Sequence, residues 1–377
     1  MPFSCEPAAE SAPRFYTNVP AAGSSATAGW TAQTIQSSLI GFRGVRFSHR
    51  MSEPKRHHVV PEFYLRRFSR EGEIELVARD DCRAVVSTGV SAALVQKYFY
   101  SIDTDQGRDA IVEKMFASEI ERPAARAIAR VIDQKKPTSF PGLRGAIAAF
   151  LAFQFVRGPA ARHAAVEFFK AGARKVTSMA TPEIVQGVLA RQGEPISLGD
   201  ARDLLSLAQT DDRMEVSSEA NVHLSVALKT ALKLIPIFLQ RAWTILDFPA
   251  TALLTGDEPL ALVGESLAPG EALGATDAPE IVFPTDPRHA LILIRPDLKR
   301  RDARYSGTQR MADIINAHVA FSCHRFLIRY PGTDPLGGRT IPEKAPPVMT
   351  IGDHVIIQPR VSLQERREWL RHQRRRR

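Results

Sequence analysis

The residues best suited to chemistry fall in three stretches. The first, Arg56-His57-His58-Val59-Val60-Pro61-Glu62-Phe63-Tyr64-Leu65-Arg66-Arg67-Phe68, sets two adjacent histidines before an apolar step and an aromatic segment. Neutral imidazole ligates transition metals and serves as a base near neutral pH. Adjacent side chains diverge in strands and in helices alike. His57 and His58 therefore share one ion only on an irregular backbone; otherwise one faces a site and the other supports it. The competing reading is an anchored turn, with Phe63, Leu65 and Phe68 in the core.

The second stretch is helical in pattern. Glu119 and Glu121, two apart, do not share a helix face. Gln154 and Arg157, three apart, do, and they interrupt the apolar run 148–157. A buried polar group without a partner costs roughly 1–3 kcal/mol, and a buried guanidinium wants a carboxylate or a phosphate. The spacing admits either a structural Glu121–Arg157 pair between packed helices or a ligand site. In the third stretch, Leu253-Leu254-Thr255-Gly256-Asp257-Glu258-Pro259-Leu260, an apolar run ends in Asp257. A carboxylate at a strand end is well aimed for a metal or a water, and Asp is equally a turn former.

No phosphate-binding glycine loop, HExxH or GxSxG signature accompanies these residues. Cys5, Cys82 and Cys323 are odd in number and widely spaced, which disfavours a disulfide framework and suits a reducing compartment. The richest apolar run, 147–156, is about half the ~20 residues that a bilayer requires, and the N-terminus lacks a secretory pattern. A soluble, cytoplasmic protein without membrane contact is expected.

The net charge of +9 is concentrated at the ends. Residues 360–377 carry eight arginines against Glu365 and Glu368, and residues 1–50 carry four against Glu6 and Glu10, leaving 51–359 at +1. Such a tail attracts polyanions weakly and without sequence preference. No other partner is indicated.

The elements that must position these residues change character along the chain. Residues 1–50 are rich in Ala, Ser, Thr, Gly and Pro without periodicity, and read as a disordered extension before a natural start at Met51. Residues 51–359 read as a single domain, followed by the basic 360–377 helix or tail, where Ser362 to Glu365 fits a capping box. Within the domain, 74–86 predicts a hairpin around Arg79-Asp80-Asp81. Helices are expected over 109–134, from Pro141-Gly142 to Gly158-Pro159, and over 160–178, 182–191, 198–209 and 215–240. Strands are then expected at 243–247, 251–255, 280–283, 289–295, 326–330 and 348–358, interrupted by one helix at 308–321. Helices followed by strands indicate α+β, a helical N-terminal half packed with a mostly antiparallel C-terminal sheet.

His57, His58, Pro61, Phe63, Tyr64, Leu65 and Phe68 resemble the opening motif of the bacterial family catalogued as domain of unknown function 4238. The resemblance continues through Ile120-Glu121, Gln154, Arg157, Trp243, Thr255 to Pro259, Phe283-Pro284 and Asn316. Gly256 and Glu258 stand where the family favours Ser and Asn, so an extra carboxylate adjoins Asp257. The resemblance implies that His57, His58, Tyr64, Gln154, Thr255 and Asn316 converge on one binding site. It implies no activity. Two readings stand open. In one, the domain is non-catalytic and these residues form a buried polar network. In the other, it is a metal-dependent hydrolase acting on a phosphodiester or nucleotide: His58 and Asp257 hold a divalent ion, Glu121 activates water and Arg157 stabilises negative charge.

Overall fold

The computed structural model describes residues 56–81, 83–97, 102–104, 107–109, 115–140, 142–159, 161, 172, 175–191, 193–210, 220–264, 273–339, 341, 350–351 and 354–355. The 1–50 extension, the start at Met51, Cys5, Cys82, the His57 side chain, most of the helix expected at 160–178 and the 360–377 tail lie outside the described residues.

The chain begins with β1 (Arg56–His58), the single-turn helix α1 (Glu62–Leu65) and the hairpin β2 (Glu73–Ala78) and β3 (Val85–Gly89). Three short strands follow: β4 (Val95–Lys97), β5 (Ile102–Thr104) and β6 (Gly107–Asp109). The helices are α2 (Arg122–Ile132), entered through a π-helical turn over Phe116–Glu121, then α3 (Leu143–Arg157), α4 (Pro182–Arg191), α5 (Leu198–Thr210) and α6 (Ala220–Gln240). Strands β7 (Ala242–Asp247), β8 (Thr255–Gly256), β9 (Ala261–Val263), β10 (Glu280–Asp286), β11 (His289–Ile294) and β12 (Ala303–Ser306) precede α7 (Gln309–Ser322) and β13 (Phe326–Arg329). A small hairpin, β14 (Thr350–Ile351) and β15 (His354–Val355), comes last among the described residues.

The fold is α+β. Its main sheet has the order β12-β7-β11-β10-β9, antiparallel except for the β12–β7 pair. The alternation of a strand sorts its side chains between two cores. Trp243, Ile245, Ile281, Phe283, Leu291 and Leu293 join the α1, α2, α3 and α6 side. Ala242, Leu246, Val282, Ala290, Ile292 and Ile294 face α7 and β13. With both faces covered, β10 is buried at every position.

A second sheet, β3-β2-β13-β8, joins the first hairpin to the far end of the domain. Antiparallel β2–β13 pairing sets Phe326 opposite Ala78 and Arg329 opposite Glu75. The hairpin turn also serves α7, because the buried Arg79 guanidinium donates to the Ala320 and Cys323 carbonyls at the helix C-terminus. Thr308 caps the other end by accepting the Met311 N–H.

Strands also occur ahead of the helices, so the helix-then-sheet order holds only in part. Residues 251–254 do not form the expected strand; only Thr255 and Gly256 pair, with Ile328 and Leu327. The Ala252 and Leu253 N–H groups bond Pro287 O, and the Leu254 N–H bonds the Asn316 side chain. With those donors satisfied elsewhere, no ladder forms. Conversely, β10 runs past the expected end at 283 and through Pro284, with a register shift between Pro284 and Asp286.

Candidate functional site

The opening motif divides between core and polar site. Pro61 breaks the extended chain, and its carbonyl accepts the Tyr64 and Leu65 N–H groups to start α1. Tyr64 then stacks on Phe283 at 5.0 Å, and Phe63 meets Phe150 edge-on at 5.2 Å. Leu65 and Phe68 are fully buried.

Just before this turn, β1 carries His58. The His58 Nδ1 lies 3.2 Å from Ala93 O. A carbonyl only accepts, so Nδ1 carries the proton and a neutral ring keeps its lone pair on Nε2. The next residue, Val59, receives two side chains from α3 through its carbonyl: Gln154 Nε2 at 3.3 Å and Arg157 Nε at 3.0 Å. Arg157 Nη1 also donates to Glu121 Oε1 at 2.8 Å. Glu121 ends the π-helical turn, and its side chain remains 24% exposed while that of Arg157 is 4% exposed. The i, i+3 spacing thus delivers Gln154 and Arg157 to one acceptor, with Glu121 paired to Arg157. The Gln154 Oε1 is buried without a partner among the described residues.

The segment 252–258 is fastened to three other parts of the chain. Asn316, fully buried in α7, accepts the Leu254 N–H at 3.0 Å and donates to Ala252 O at 2.7 Å. Tyr64 donates its hydroxyl proton to Pro284 O at 2.6 Å, so Thr255 must be the donor in the 2.7 Å contact between the two hydroxyls. Burial pushes the Tyr64 hydroxyl far above the ordinary phenol range, outweighing the opposing Thr255 hydrogen bond. Asp257 accepts the His324, Arg325 and Phe326 N–H groups at 2.7, 2.7 and 3.1 Å. Its own N–H bonds Phe326 O at 3.0 Å, closing the turn into β13.

Glu258 links the two regions. It is buried, and its carboxylate occupies the space that a Cβ on Gly158 would fill, beside Arg157. Gln154, Arg157 and Glu121 are therefore together around Val59, and Tyr64 and Thr255 are together beneath the sheet. Asp257 and Asn316 are bonded to other backbone segments. Sequence reasoning treated Glu258 only as a neighbour of Asp257 and did not single out Gly158, since neither spacing nor residue type reveals their contact. Among the described residues, no three His, Cys, Asp or Glu side chains are grouped closely enough to hold a metal ion. No described helix is long and apolar enough to cross a membrane.

No curated protein and no solved structure matches this chain. The opening motif, the Glu121–Arg157 pair and the fastened 252–258 segment all lie within residues 56–333, the span matched by the family described as Protein of unknown function (DUF4238), and the chain belongs to that family.

Proposed function

We propose that the chain is a non-catalytic, intracellular binding domain in which the motif residues form a buried polar network that fixes the walls of a binding surface. The observation that carries this reading is the bonding of Asp257. A carboxylate offers about four lone-pair sites, and three N–H groups, those of His324, Arg325 and Phe326, already occupy this one. A metal would have to compete with all three. Tyr64 and Asn316 are likewise directed at backbone carbonyls and amides. The basic 360–377 tail adds weak, sequence-independent attraction to polyanions.

The test is metal content and urea unfolding of the full chain beside His58→Ala and Asp257→Ala. The network reading expects no stoichiometric metal, no stabilisation by magnesium, manganese or zinc, and a large loss of stability in Asp257→Ala. Stoichiometric metal that disappears in both variants would replace it with the hydrolase reading. That second reading, a metal-dependent hydrolase of a phosphodiester or nucleotide, draws support from one feature. The part-exposed Glu121 carboxylate pairs with the Arg157 guanidinium, which also donates to the carbonyl of Val59, the residue that follows His58. On that reading Glu121 activates water, Arg157 stabilises developing charge, and His58 and Asp257 hold the ion.

A further inference from the structure

We infer that β3 is a self-association edge, on which the β3 of a second copy of this chain pairs antiparallel and joins two β3-β2-β13-β8 sheets into one. β3 is the outermost strand of its sheet. Open edges template pairing with other chains, and proteins blunt them with charge, proline, a bulge or brevity. Among the described residues, the edge strands β8 and β9 are two and three residues long, and the edge strand β12 carries Arg304. β3 runs for five residues, Val85-Val86-Ser87-Thr88-Gly89, in unbroken register with β2 and with none of these devices. Val85 is 38% and Val86 60% exposed.

The ladder decides which backbone groups face outward. The Ala78 N–H bonds Ala84 O, and the Val90 N–H bonds Gly72 O. Hydrogen-bonded pairs in an antiparallel ladder recur at every second residue, so Val86 and Thr88 exchange bonds with their β2 partners, Leu76 and Ile74. The N–H and C=O groups of Val85 and Ser87 therefore point away from the sheet, and they enter no bond among the described residues.

This edge is complementary to itself. A two-fold axis through Val86 sets Val85 of each copy opposite Ser87 of the other, and both positions exchange N–H···O bonds. The two Val86 side chains then meet in the closer, non-hydrogen-bonded pair, about 4.5 Å apart at Cα. They adjoin Leu76, which packs against the larger core. The same axis brings Arg83 level with Gly89 of the second copy, whose β2 neighbour is Glu73. Two strand spacings, about 10 Å, separate Arg83 from that Glu73, and Gly89 interposes no side chain. Arg83 and Glu73 are both exposed, and neither has an ion pair within its own chain among the described residues. This charge match, which requires the two-fold, favours a second copy over a foreign strand. The paired edges are short, which places the interface among weak ones, below about 1,200 Å².

The experiment is sedimentation of the full chain from about 1 to about 200 μM, where a dimer with a Kd on the order of 10 μM is expected. Ser87→Pro removes an outward N–H while leaving the β2 ladder intact, and should weaken the dimer at least about tenfold. Val86→Lys should do the same and covers a failure of Ser87→Pro to fold. Arg83→Glu should weaken the dimer severalfold, and adding Glu73→Arg should restore it. A wild type that stays monomeric, a dimer that survives both Ser87→Pro and Val86→Lys, or a charge swap that restores nothing would overturn the proposal. A monomeric chain that instead captured an extended peptide would assign the edge to a foreign strand and overturn it equally.

Discussion

The Tyr64 and Thr255 hydroxyls meet at 2.7 Å across 191 residues of sequence, and the direction of their hydrogen bond is fixed by a third group, the Pro284 carbonyl. Tyr64→Phe removes both bonds and leaves a buried hydroxyl and a buried carbonyl without partners. The expected cost is about 1–3 kcal/mol, read by urea unfolding. Thr255→Val should cost less in the Tyr64→Phe background than in the wild type, since the bond is already gone. Because burial holds Tyr64 protonated, alkaline titration of the folded wild type and of Tyr64→Phe should yield the same phenolate absorbance. An extra phenolate in the folded wild type would contradict the buried geometry.

Asp257→Asn exchanges one acceptor oxygen for an N–H that confronts a backbone N–H. Hydrogen bonds to charged groups contribute about 1.5–3 kcal/mol each, so a loss of about 3 kcal/mol is expected. Hydrogen exchange should quicken at the His324, Arg325 and Phe326 amides and stay unchanged in the β10–β11 hairpin. Uniform quickening would mean that the anchor is not local.

For Asp286 the pH dependence has a definite sign. Burial alone would raise its carboxyl, but the His289 hydrogen bond, the charges of His289 and Arg67 and the Arg288 N–H outweigh it and hold the group below its ordinary value. A depressed carboxyl stabilises the fold above its unfolded pKa, about 3.9, and that stabilisation disappears as pH falls through the folded value. Asp286→Asn should therefore be less stable than wild type by about 2 kcal/mol at neutral pH. The gap should close as pH falls below about 4, through the depressed folded value. A gap that stays constant with pH would remove the ionised carboxylate from the explanation.

Gly158 follows α3 at φ −64°, a backbone that alanine adopts without strain. The cost of Gly158→Ala is therefore steric, since the new methyl meets the Glu258 carboxylate. Overpacking of this kind costs about 1–3 kcal/mol. Removing the obstacle in a Glu258→Ala background should make the same substitution nearly neutral. An equal cost in both backgrounds would show that Glu258 is not what fills that space.

Local pattern was readable where neighbours in sequence are neighbours in space. The i, i+3 relation of Gln154 and Arg157 put them on one face, and the long apolar runs of β10 and β11 appeared because both sheet faces are covered. What spacing did not reveal is the acceptor: Val59 contributes a backbone carbonyl, which carries no residue-type signal, from 95 residues away. The strand expected at 251–255 failed for the same reason, because Asn316 takes the backbone groups that a ladder would use. Strands β9 and β12, at three and four residues, are too short for periodicity to mark.

The seat of β13 between β2 and β8 has a consequence during synthesis. Arg329 bonds Glu75 across 254 residues, so a ribosome adding about 5–20 residues per second releases the first hairpin some ~10–50 s before its third strand exists. Through that interval the β2 edge presents unpaired N–H and C=O groups, a template for any other strand in reach. A chain halted before Phe326 keeps that edge open permanently, and translation speed over the last third of the message becomes a determinant of yield.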